Sequence, residues 1–126
     1  MRRKTSGLTD VLTLICGLPN AGKTTYSKRF ENVVHLDEER RTANVCEKVK
    51  GAGDVVVEGV FASRPQRERL IRAYGGRCRC IFIDITLDEC IRREDRGRSD
   101  FILRNAYKHF TPPTLDEGWD EIEVVR

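Results

Sequence analysis

The segment Gly17-Leu18-Pro19-Asn20-Ala21-Gly22-Lys23-Thr24-Thr25 fits the spacing G-x-x-x-x-G-K-[ST]. Its two glycines permit backbone angles and a close approach that a Cβ would block. The N–H groups of such a loop can converge on a phosphate. Lys23 in this pattern reaches β- and γ-phosphate oxygens, and the Thr24 hydroxyl ligates Mg²⁺. The chemistry on offer is the binding of ATP, or another nucleoside triphosphate, with its magnesium. The alternative is a chance glycine loop. Context favours the motif: the apolar run VLTLIC (11–16) precedes it, and Lys23 to Phe30, free of Gly and Pro, follows it.

Two further groups could complete the chemistry. Asp37 comes directly after the apolar NVVHL (32–36), with Arg40 three residues on. A carboxylate beside a bound γ-phosphate can take the proton of an attacking hydroxyl. An arginine one turn away can hold an anionic group of the acceptor by a bidentate contact. The bland reading of Asp37 is a helix N-cap, and the two roles are compatible. Arg92 and Arg96, in IRREDRGR (91–98), are four apart, as on one helical face. Arginines so placed can fold over a nucleotide and stabilise a transferring phosphoryl group. They can equally be a solvated surface paired with Glu94 and Asp95.

These side chains need a frame. Apolar runs at 11–16, 32–36, 53–60, 78–86 and 121–126 read as five strands. The segments 23–30, 37–50, 64–74, 87–95 and 101–110 read as helices, with Pro65 near the start of one and Gly75-Gly76 at its stop. Alternating strands and helices imply an α/β fold with a parallel sheet. Ligands then gather at the carboxyl ends of the strands, where the glycine loop, Asp37 and Glu58 lie.

The chain has 126 residues, enough for one domain (1–126), and a net charge of +3, too small to argue for nucleic acid by itself. The start, MRRK, is a small basic arm that reads first as a solvated terminus. No run is long and apolar enough to span a membrane, and no signal peptide is evident. The five cysteines lack C-x-x-C spacing. They read as reduced packing residues of a cytoplasmic protein, a metal site at Cys78 and Cys80 being the lesser alternative.

Taken in order, GLPNAGKTT, Asp37-x-x-Arg40, GGRCRCIFIDITLDECIRRED (75–95), Arg92-x-x-x-Arg96-Gly97 and the tail FTPPTLDEGW (110–119) resemble the kinase domain of polynucleotide 5′-kinases, within the wider group of P-loop kinases. The resemblance implies a three-layer α/β/α P-loop fold with an about five-stranded, mostly parallel sheet. It implies ATP and Mg²⁺ as cofactors and a nucleic acid as acceptor, DNA ahead of RNA. It implies Asp37 as general base, Arg40 as ligand of an acceptor phosphate, and Arg96 as the arginine over the donor phosphates.

This chain departs from that pattern at EGVFAS (58–63). Glu58 keeps a carboxylate, but Val60 and Phe61 stand where the family has Thr and Asn. Phe61 could stack on an acceptor base or belong to the core. Only 16 residues separate Asp37 from Asp54, a shortened cover that leaves the acceptor side open. The expectation is therefore phosphoryl transfer to a nucleic-acid hydroxyl. The alternatives are the hydroxymethyl group of 5-hydroxymethyluracil in DNA, as for some phage kinases, a small-metabolite kinase, or a nucleotide-binding module without catalysis.

Overall fold

A computed structural model describes residues 10–126. The basic arm read from the sequence lies outside the described residues. VLTLICG carries no charge and forms the central strand β1 (Val11–Gly17), with Leu12, Leu14, Ile15 and Cys16 fully buried. Such a run suits a strand covered on both faces. β1 pairs in parallel with β3 (Val55–Glu58) on one side and β4 (Arg77–Ile83) on the other. β2 (Val33–His35) extends the sheet beyond β3, and β5 (Glu121–Val125) beyond β4. The order is β2-β3-β1-β4-β5, all parallel.

The helices are α1 (Lys23–Ser27), α2 (Leu36–Glu39), α3 (Thr42–Val49), α4 (Arg64–Tyr74), α5 (Leu87–Arg92) and α6 (Asp100–Lys108). The two-residue period of β1 splits the core. Leu12, Leu14 and Cys16 pack with Val45 and Val49 of α3 and Leu70 of α4. Ile15 packs with Ala21 and Tyr26, the latter on α1. Helices cover both sheet faces, giving the three-layer α/β/α arrangement.

α4 runs from Arg64 to Tyr74, as its sequence signals indicate: Ser63 accepts from the Gln66 N–H at 3.3 Å, and Gly75 closes the helix at φ 73°. Elsewhere the predicted helices are too long. The 37–50 segment is two helices, broken where Arg40 turns to φ 72°. α1 stops at Ser27, and tight i→i−3 bonds from Lys28, Arg29 and Phe30 finish the segment. α5 stops at Arg92, not residue 95. All five cysteines are buried free thiols, and burial pushes the Cys78 thiol up to about 12. Among the described residues no cluster of His, Cys, Asp or Glu could by itself hold a metal ion. No helix among them is long and apolar enough to cross a membrane.

The tail is tied to the body by a buried network. Arg67 on α4 is fully buried and makes two 2.8 Å bonds to the carboxylate of Glu117, through Nε and Nη2. Its Nη1 donates to the carbonyl of Phe61 at 2.8 Å, and the Trp119 indole donates to Glu117 at 3.0 Å. This network fixes the turn that leaves β3.

Candidate phosphoryl-transfer site

A cavity of about 550 Å³, open to solvent, lies at the carboxyl ends of β1, β2 and β3. Three groups of residues line it. The glycine loop contributes Pro19, Asn20, Gly22, Lys23, Thr24 and Thr25. The exits of β2 and β3 contribute Asp37, Glu58, Gly59 and Val60, and the segment after α5 contributes Arg93, Asp95, Arg96 and Arg98.

The loop's shape rests on residues outside the cavity lining. A Cβ on Gly17 would meet the Ile83 carbonyl oxygen of the neighbouring strand at 2.7 Å. Leu18 and Ala21 are buried, and the Leu18 carbonyl accepts from the Ala21 N–H at 3.1 Å. The same carbonyl accepts from Lys23 Nζ at 2.8 Å. Lys23 is 8% exposed. Burial pulls its ammonium below the ordinary lysine range, while the charges of Glu58 and Asp37 act to raise it. An ammonium has three donors, and among the described residues Leu18 is the one hydrogen-bond partner of this one. A desolvated cation with donors to spare at a cavity wall suits an anion. The Thr24 side chain is exposed at the same cavity and has no hydrogen-bond partner among the described residues. Magnesium takes few protein ligands and relies on substrate phosphates. One hydroxyl on this glycine loop could hold that ion beside bound phosphate, and among the described residues no cluster of carboxylates could hold it alone.

Asp37 is the second residue of α2, exposed and facing the cavity. It is not the helix cap, for His35 occupies the N-cap position. Close packing brings the two acidic exits together: a Cβ on Gly59 would lie 2.7 Å from the Leu36 Cβ. Glu58 is buried at the cavity edge, its Oε1 2.6 Å from His35 Nδ1. The sequence reading missed His35, although a polar residue inside NVVHL was the available signal. Arg40 is exposed and does not line the cavity.

Two expected site residues lie elsewhere. Phe61 is fully buried in the core at φ 42°, its carbonyl held by Arg67, so its ring has no face to offer an acceptor base. Val60 takes the cavity position instead. Arg92 ends α5, is exposed, pairs with Glu89 and does not line the cavity. Because the helix ends there, Arg92 and Arg96 do not share a helical face. Arg96 does line the cavity, and its guanidinium has no hydrogen bond or ion pair among the described residues. Arg93 and Arg98 join it, unforeseen from the sequence. Arg93 bonds Glu89 at 2.8 Å and the Asn20 carbonyl at 3.2 Å.

No family model matches the chain. Solved structures of P-loop kinases share its fold. A gluconokinase from Sinorhizobium meliloti 1021 superposes with a TM-score of 0.77 at 14% identity, covering 91% of this chain and 81% of that one. The Mycobacterium tuberculosis APS kinase CysC, solved with AMPPNP and APS, gives 0.60 at 16% identity, covering 91% and 88%. A sugar kinase from Janibacter sp. HTCC2649 gives 0.66 at 11% identity, covering 93% and 84%. The chain thus has the α/β fold of P-loop kinases.

Proposed function

We propose that this protein is a kinase that transfers the γ-phosphoryl group of a nucleoside triphosphate, with Mg²⁺, to a hydroxyl of a small metabolite. The observation that carries the reading is Lys23, an ammonium desolvated at the wall of an open cavity with donors unspent. In this reading Lys23, from the glycine loop, and Arg96, from the segment after α5, bind the donor phosphates and hold the charge that develops during transfer. Asp37 accepts the proton of the attacking hydroxyl. Thr24 would hold the magnesium, which neutralises phosphate charge when bound. The small acceptor is supported by the named activities of the gluconokinase, the APS kinase and the sugar kinase, which match over most of their length.

A second reading keeps the machinery and takes the hydroxyl from DNA, at a 5′ end or on a hydroxymethylated pyrimidine. Arg40 favours it: exposed, three residues beyond Asp37, its guanidinium without an ion pair among the described residues. The loss of Phe61 as a stacking surface weakens it. A labelled γ-phosphate transfer screen decides between them. It compares sugars and sugar acids, nucleosides, 5′-hydroxyl oligonucleotides and duplex DNA carrying 5-hydroxymethyluracil. Transfer to the small acceptors supports the first reading, and transfer confined to DNA replaces it with the second. Nucleotide binding without transfer to any acceptor would leave a binding module and end both.

A further inference from the structure

Glu94 stands next to the cavity without lining it, and its carboxylate is the most heavily used of those around the site. Oε1 accepts from Asn20 Nδ2 at 2.8 Å and from Arg98 Nε at 3.0 Å. Oε2 accepts from the backbone N–H of Arg96 at 2.9 Å and of Arg98 at 3.1 Å. A carboxylate has about four acceptor sites, so Glu94 is saturated. Asn20 is nearly so. Its Nδ2 also donates to the Cys90 carbonyl at 3.0 Å, and its Oδ1 accepts from Arg98 Nη2 at 2.9 Å. Neither side chain has a donor to spare for a ligand.

Arg96 is built the opposite way. Its backbone is tied to Glu94, while its guanidinium lines the cavity free of partners among the described residues. Arg98 has its guanidinium committed to Glu94 and Asn20. The segment after α5 therefore has two anchored cations, Arg93 and Arg98, and one anchored backbone with a free tip, that of Arg96. All of these anchors reach the glycine loop at Asn20, Arg93 through its carbonyl and Glu94 and Arg98 through its side chain, and Asn20 sits at φ 67°.

We propose that Asn20, Glu94 and Arg98 form a latch that docks the 93–98 segment on the phosphate loop before nucleotide arrives, making Glu94 the positioning residue for Arg96. This rests on the kinase reading given above. The latch removes ordering that Arg96 would otherwise need at the moment of binding and transfer, which is how pre-organisation raises rates. The depressed titration of Glu94, held down to about 2 by Asn20 and Arg98, keeps the latch charged across the working pH range.

The test combines two variants and two readouts. Asn20→Gly removes the tether but keeps a residue at ease with the positive φ. Glu94→Ala removes the hub. In the ligand-free protein, amide exchange at Arg96 and Arg98 should be slow in the parent and at least several-fold faster in both variants. That readout needs no activity, so it separates failure of the latch from failure of the kinase reading. Binding of a fluorescent ATP analogue with Mg²⁺ to the parent checks the latter. In transfer assays Glu94→Ala should lower kcat about tenfold or more, as misplacement of a working group does. In an Arg96→Ala background the same change should cost less than about twofold, because coupled residues are non-additive. Fast exchange at both Arg96 and Arg98 in the parent, or the full loss in both backgrounds, would overturn the latch.

Discussion

Two of the arginine–glutamate pairs among the described residues are built differently. Arg67 and Glu117 join α4 to the tail, with side chains 0% and 2% exposed. Arg98 and Glu94 lie within one loop at the cavity, 28% and 9% exposed. Around the first pair the charged atoms have partners within the fold: the guanidinium bonds Glu117 and the Phe61 carbonyl, and the carboxylate also takes the Trp119 indole. Around the second, saturation stops short. Among the described residues Arg96, Lys23, Thr24 and Asp37 all keep polar capacity unspent beside a cavity. Desolvating two ions costs several kcal/mol, so a buried pair persists only when its geometry and extra hydrogen bonds offset that cost. The difference teaches where to look for function. Saturated charge marks what holds the fold, and unspent charge marks what waits for a ligand.

Replacing a cation by methionine in each region is the sharpest way to break the comparison. Arg67→Met leaves Glu117 buried without its partner and the Phe61 carbonyl without its donor. A loss of ~3–5 kcal/mol of stability is expected, read from the urea midpoint. The double change Arg67→Met with Glu117→Leu should recover much of it, since no orphaned charge remains. Lys23→Met should do the reverse. Transfer should fall ~10²-fold or more, the scale for removing one pre-organised charge contact. The urea midpoint should hold or rise. Burial lowers the Lys23 value in the fold, so the unfolded chain binds the proton more readily and the ammonium weighs against folding at neutral pH. If Lys23→Met unfolds the protein as Arg67→Met does, the division into saturated and unspent charge fails.

Acid sharpens the same point. Burial acts to raise the Glu117 carboxyl, but the bonds from Arg67 and Trp119 outweigh it and hold the group below the ordinary range. The unfolded chain therefore takes up this proton first as pH drops below the usual glutamate value of ~4.3. Stability from this group is complete above that value and is lost as pH falls through the lowered one. A stability series from pH 6 to pH 3 should decline more steeply for the parent than for Glu117→Gln, which has no carboxylate to protonate. Equal slopes would remove Glu117 from the acid response.

The sequence was informative where local chemistry decides the outcome. The bend of the glycine loop, the five strands and α4 all follow from glycine spacing, apolar runs and capping residues that act within a few positions. Asp37 was legible because strand exits in a parallel sheet face one crevice. The differences arose where side-chain bonds and tertiary packing override the local pattern. Phe61 could be a stacking ring or a core residue, and the choice falls to a core cluster it shares with residues far along the chain, among them Val45 and Trp119. Arg92 and Arg96 looked like helical neighbours, yet the Glu94 carboxylate takes the N–H groups of Arg96 and Arg98, beyond the end of the helix. The break at Arg40 lacks the usual glycine, so the helix through 37–50 had no visible stop.

The smallest expected effect concerns how α4 is held. Ser63 caps it by accepting from the Gln66 N–H, and Arg67 stands one turn further on. Two anchors thus act on the same end of the helix, one local and one through the buried pair. Ser63→Ala removes only the local one and should cost ~1 kcal/mol, the usual loss for a serine cap. Cap and pair are close enough to couple, since the Arg67 N–H itself bonds the Ser63 carbonyl at 3.1 Å. If the cap helps to place Arg67, Ser63→Ala should cost distinctly less in an Arg67→Met, Glu117→Leu background, where no guanidinium needs placing. If the buried pair places α4 unaided, the loss should be the same in both backgrounds. Either way transfer activity per folded molecule should stay within about twofold of the parent, in keeping with a change that lies outside the cavity and leaves its unspent charges alone. A much larger drop in transfer would mean that the turn after β3 is governed by its cap, and that the division between a structural and a functional region has been drawn in the wrong place.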